Sequence, residues 1–144
     1  MIILMFKLLI LALFILYSVI EGIREGLYYD LKYKTTKGDL GEHTLFTVQR
    51  CVFVLFMFSL SFLINSNPIY TLIETFFIIL MFPYFHDGAY YMTRNNANSD
   101  IYKKRWRDNS ITSTAKFEIK YPLRISLFIG GVVCYTLLLI IQLK

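Results

Sequence analysis

The chain alternates between long apolar runs and short stretches that collect nearly all its charges. The first run, approximately Ile2 to Ile20, is broken only by Lys7 and Ser18. About 20 helical residues cross a bilayer core of roughly 30 Å, so this run has the length of a membrane span. It lacks the early positive charge and small-x-small cleavage site of a secretory signal peptide, and it reads as an anchor. A second run opens after Asp39-Leu-Gly-Glu42, a capping-box variant in which a cap carboxylate is followed three residues later by Glu. It continues to about Ile64 and stops at the turn Asn65-Ser-Asn-Pro68. The third run starts at Pro68, a residue favoured at the first helical position, with Asn67 as its cap. Pro83 removes a backbone donor and predicts a kink. Beyond it, Tyr84 to Arg94 mixes aromatics with charge, as interfacial segments do. The helix should end in Asn95-Asn96-Ala97-Asn98. The fourth run follows Pro122, from about Leu123 to Leu143. Its Ser126 and Gly130 are four apart, with Gly131 adjacent, a spacing that permits close helix approach but that a lipid-facing helix also tolerates.

These runs predict an all-α integral membrane protein, a single four-helix transmembrane domain over residues 1–144. The spans fall near 2–20, 44–64, 68–92 and 123–143, with loops at 21–43 and 93–122. Composition agrees. Of 144 residues, 56% are hydrophobic and 17% charged, and the mean hydropathy is +0.53. A soluble domain carries about 45–50% apolar and roughly 25% charged residues. The net charge of +5 would elsewhere suggest nucleic acid. Here the basic residues flank apolar spans, which makes them topology determinants facing anionic membrane lipid and argues against nucleic acid. Cys51 and Cys134 both lie in apolar runs and read as buried thiols rather than a disulfide or a zinc site.

The charge bias sets the orientation. Arg24, Lys32, Lys34 and Lys37 follow span one; Arg94, Lys103, Lys104, Arg105, Arg107, Lys116, Lys120 and Arg124 follow span three. The opposite side has only Lys144 and the terminal amine, with Lys7 near the edge of span one. The positive-inside rule then places both loops in the cytoplasm and both termini outside it, in a plasma or inner membrane. Tyr102 and Trp106, one helical turn apart, predict that the second loop lies partly along the membrane as an amphipathic basic segment.

Charge at membrane depth is costly, so each such residue is a functional candidate. Glu21 and Glu25 close span one on a single face, His43 opens span two, and Arg50 lies about 10 Å farther along that helix. His86, Asp87, Tyr90 and Arg94 follow Pro83. All eight fall at the predicted cytoplasmic face. Glu21, Glu25, His43, His86 and Asp87 have the ligand types of a carboxylate–imidazole metal site. The same residues also suit a proton relay or, with Arg50 and Arg94, an anion pocket. Ordinary interfacial polarity accounts for most of them singly, but Arg50 needs a carboxylate from Glu21, Glu25 or Asp87. Glu74 is an isolated intramembrane acid at a depth that suits Lys7 as its partner. The hydroxyl-rich stretch 108–115 lacks the glycines of a P-loop and reads as loop.

No G-x-S-x-G, H-E-x-x-H, G-x-G-x-x-G or C-x-x-C is present, so sequence alone does not decide for or against catalysis, and no cofactor is named by it. Three function classes stand. The first, slightly preferred, is a homo-oligomer that conducts or binds ions through Arg50, Glu74, Gly130 and Gly131. The second is a membrane-embedded enzyme acting on a lipid or small amphiphile at the cytoplasmic face, with His43, His86, Asp87 and Glu21/Glu25 as metal ligands or as acid–base residues. The third is an accessory subunit docking a cytoplasmic protein through Lys103, Lys104, Arg105 and Arg107.

Overall fold

A computed structural model describes residues 2–33, 40–97, 106 and 119–142. Its elements are four helices: α1 (Ile2–Tyr33), α2 (Leu40–Asn65), α3 (Pro68–Ala97) and α4 (Tyr121–Gln142). No strand occurs among the described residues. Each helix contains a stretch long and apolar enough to cross a membrane: Ile2–Tyr28, Leu45–Asn65, Pro68–Asn96 and Tyr121–Gln142. Large aliphatic and aromatic side chains cover the outside of the bundle, among them Ile2, Leu45, Leu63, Ile69 and Ile141. A soluble monomer does not expose apolar surface on this scale. The chain is a multi-pass membrane protein.

Cross-helix contacts give the direction of each helix. Lys7 meets Glu74, Gly22 meets Ala89 and Gly26 meets Thr93, so α1 and α3 run parallel. Tyr17 with Phe53 and Glu21 with Arg50 make α1 and α2 antiparallel. Gly131 with Phe77 and Phe128 with Tyr84 do the same for α4 and α3. Helix α3 is central, with α1 and α4 packed most extensively along it and α2 more lightly. Ile10, Phe14, Met57, Ile78, Met81, Tyr135 and Leu139 form the apolar core at mid-bundle.

The α2–α3 turn follows its sequence closely. Asn67 Oδ1 accepts from the backbone N–H of Ile69 and Tyr70 at 3.0 and 3.2 Å, capping α3 ahead of Pro68. Ser66 takes a left-handed φ of 53°, and its N–H returns to the Phe62 carbonyl at 2.8 Å, an αL termination of α2. Helix α3 stays helical through Pro83 and ends at Ala97, inside the Asn-rich stretch. Trp106 lies against α3 at Gly88, where a Cβ would stand 2.0 Å from the indole, and 5.9 Å from the Tyr84 ring centroid. Asp39, Tyr102, Lys103, Lys104, Arg105, Arg107 and the stretch 108–115 lie outside the described residues.

Two features differ from the sequence reading. Helix α1 continues to Tyr33, well past the expected end of span one near Ile20. Hydropathy falls after Ile20 because charges appear, but no helix breaker comes before Thr35-Thr36-Lys37-Gly38. Glu21 and Glu25 are therefore mid-helix residues rather than terminal ones. Close packing also uses different small residues. A Cβ on Gly22 would meet the His86 carbonyl oxygen at 2.2 Å, and one on Gly26 the Thr93 Cβ at 2.9 Å. Together with fully buried Ser18, they form a small-residue stripe that lets α1 lie directly on α3. In α4 only Gly131 is pressed against α3, whereas Gly130 faces open space and Ser126 is exposed.

Candidate metal centre

Within the half of the bundle that leads to the end of α1 and the start of α2, and inside the apolar spans, five of the expected residues meet. Glu21 and Glu25 share a face of α1 because they are four apart. The Gly22–Gly26 contact brings that face within reach of His86 on α3, and α2 supplies Arg50. Arg50 Nε donates to Glu21 Oε1 at 2.7 Å, and its Nη2 donates to Glu25 Oε2 at 2.6 Å. The same Nη2 lies 2.9 Å from His86 Nε2. Glu25 Oε2 is 2.8 Å from that ring nitrogen, and His86 Nδ1 is 2.9 Å from Asp87 Oδ1. Both sides of the ring face carboxylates, Asp87 at Nδ1 and Glu25 at Nε2, and the Arg50 guanidinium nitrogen shares the Nε2 side.

The cluster is graded in exposure. The Glu21 side chain is 1% exposed, Asp87 23% and Arg50 30%. Phe82 stacks on the His86 ring at 4.8 Å and lies 5.4 Å beneath the Arg50 guanidinium, so one aromatic fixes both groups. Tyr17 Oη and Glu21 Oε2 are buried beside the cluster, one turn apart on α1, outside ideal hydrogen-bond geometry but with Tyr17 close to Glu21 and Gln49.

Glu21, Glu25 and His86 each offer a ligand atom, all within 4.8 Å of one another. Ligands at about 2.1 Å from an ion stand about 3.4 Å apart in a tetrahedral site, so closing around one needs up to roughly 1.4 Å of combined side-chain movement. Asp87 does not join that trio. It holds the far nitrogen of His86, the carboxylate–histidine support that orients metal-binding imidazoles. His43 belongs to α2 by its backbone, but its side chain lies outside the described residues. Tyr90 and Arg94 hold each other one turn farther along α3: Arg94 Nη1 donates to Tyr90 Oη at 3.2 Å and lies over its ring.

At the opposite end of the bundle is a second polar knot. Lys7 Nζ lies 3.3 Å from Glu74 Oε2, the pairing expected from their depths. Ser61 Oγ and Asn65 Nδ2 donate to the same oxygen at 2.8 and 2.5 Å. Lys7 also donates to Gln142 Oε1, and Tyr135 Oη donates to the Lys7 carbonyl. All four helices are tied there. Ser61, Asn65, Gln142 and Tyr17 were not singled out from sequence. Their signal was available, since Tyr17 precedes Glu21 by four residues and Ser61 precedes Asn65 by four.

Fold and site together define a multi-pass membrane protein with a charged centre enclosed between its helices. Comparison with known protein families, curated proteins and solved structures finds no match for the chain.

Proposed function

We propose that this is a membrane-embedded metal-binding protein with an enzyme-type centre at the cytoplasmic face. One observation carries the reading: two carboxylates and an imidazole converge within 4.8 Å, and the imidazole's other nitrogen is held by a carboxylate. Carboxylate and imidazole donors suit divalent manganese, iron or zinc. Three protein ligands leave at least one position open for water or substrate, the mark of a catalytic rather than structural site. A divalent ion takes the position of Arg50 Nη2, which already touches both Glu25 Oε2 and His86 Nε2. In this reading Arg50 is a built-in competitor of the ion.

Conduction through an oligomer receives less support. A shared pore would present Glu74 and Arg50 to a common lumen. Glu74 is instead wholly buried inside one protomer, and Arg50 is satisfied by its own chain's carboxylates. The two polar knots are separated by the apolar core, and His86 and Glu74 stand roughly 18 Å apart along α3.

Elemental analysis of detergent-purified protein tests the proposal. Near-stoichiometric manganese, iron or zinc is expected in wild type, falling to background in His86→Ala with assembly state unchanged. Equal metal content in both, or none in wild type after exposure to each ion, overturns it.

A further inference from the structure

We propose, resting on the metal reading above, that the loaded centre binds a phosphoryl oxyanion at the α1–α2 seam, between the ion and the guanidiniums of Arg50 and Arg24. A divalent ion and Arg50 Nη2 compete for the same two atoms, Glu25 Oε2 and His86 Nε2. With the ion in place Nη2 would leave Glu25 and His86, while Nε keeps its bond to Glu21 Oε1 as a tether. The Arg50 side chain is already 30% exposed, and Phe82 supports its planar face. Its Nη2 donors are then free for an anion.

Arg24 supplies the second guanidinium across the same seam. It is exposed, and its contacts are neutral: Nη1 donates to Gln49 Oε1 at 2.8 Å, and the Phe46 ring centroid lies 4.8 Å from its Cζ. Arg24 on α1 bonds Gln49 on α2, and Arg50 on α2 bonds Glu25 on α1, so both cations belong to the α1–α2 seam. Guanidinium forks match the paired oxygens of phosphate, and a divalent ion bridges to a third.

Charge makes the binding conditional. Three carboxylates, Glu21, Glu25 and Asp87, face two guanidiniums and His86, and one divalent ion adds two positive charges to that set, so loading favours an anion at the seam. The walls suggest how a phosphoryl group arrives. Ile20, Ile23 and Leu27 on α1 and Leu45, Val48 and Val52 on α2 are exposed along these helices. A phosphate monoester on an acyl-bearing molecule meets both the apolar walls and the charged groove, while free orthophosphate meets only the latter.

Calorimetric titration of purified protein with orthophosphate and with short-chain phosphatidic acid, each with and without Mn2+, tests this. Mn2+ should tighten phosphoryl binding by about tenfold or more, and by linkage the phosphoryl ligand should tighten Mn2+ binding by the same factor. Arg24→Gln and Arg50→Gln should lose this gain while still loading Mn2+, Arg50→Gln more tightly than wild type. Phosphatidic acid binding more tightly than orthophosphate identifies a lipid headgroup; equal affinities identify free phosphate. Mn2+ uptake without phosphoryl binding, or a gain indifferent to both arginines, overturns this inference and leaves the metal reading standing. Failure to take up Mn2+ or any other divalent ion overturns both.

Discussion

His86 is the pivot at the residue scale because its two ring nitrogens have separate tasks. Nδ1 faces Asp87, which leaves Nε2 as the ring nitrogen turned to Glu25 and Arg50 and available to an ion. Asp87→Asn keeps a hydrogen-bonding partner beside Nδ1 but removes its charge. Metal titration should then show affinity about 10–100-fold weaker, the usual cost of disabling such a support; an unchanged affinity would mean that Asp87 does not orient the ligand. The arginine requirement was legible in sequence. Arg50 precedes a run, Val52 to Ile64, in which only Ser59 and Ser61 are polar, and it meets two of the three carboxylates named for it. That Asp87 serves His86 instead was not legible. The i to i+1 relation says nothing about which ring nitrogen a neighbouring carboxylate reaches.

The α1–α3 contact dominates at the element scale. Gly22→Val places a side chain where even a Cβ would stand 2.2 Å from the His86 carbonyl oxygen, so the two helices must separate. A loss of about 1–3 kcal/mol in stability is expected, as for overpacking elsewhere, with metal occupancy falling alongside it. Gly130→Val, where a Cβ meets nothing within 4 Å, should change neither in thermal unfolding of the detergent-solubilised monomer. The sequence announced only part of the close packing: Gly131 presses on α3, but Gly130 and Ser126 do not. Ser126, Gly130 and Gly131 were conspicuous against a uniformly apolar run, whereas Gly22 and Gly26 were hidden among charges that looked like a loop. Spacing marks which residues permit close approach, but helix rotation decides which of them are used.

Charge ties the helices at two levels in the whole molecule: the Lys7–Glu74 knot joins all four, and the Arg50 cluster joins α1, α2 and α3. Lys7 and Glu74 were paired from sequence because each is a lone charge at similar depth in its own span. Lys7→Ala should cost about 3–5 kcal/mol by stranding a buried carboxylate, whereas Lys7→Met with Glu74→Leu should recover most of it. If the double variant unfolds as readily as the single, the pair does more than offset its own charges. Four-span topology was legible from run length, and the all-helical architecture follows it. Orientation rests on the basic loops. In a background with Cys51→Ser and Cys134→Ser, Ser66→Cys should react with an impermeant thiol reagent added outside intact cells, and Lys120→Cys only after permeabilisation. Both positions are exposed, at opposite ends of the bundle. The reverse labelling pattern would move the charged centre to the outer face.

The most direct measurement of the central claim is X-ray absorption on the metal-loaded protein. The account expects a first shell of oxygen and nitrogen only, with outer-shell scattering from a single imidazole that disappears in His86→Ala. A shell containing sulfur from Cys51 or Cys134, or one whose spectrum is unchanged in His86→Ala, would contradict it.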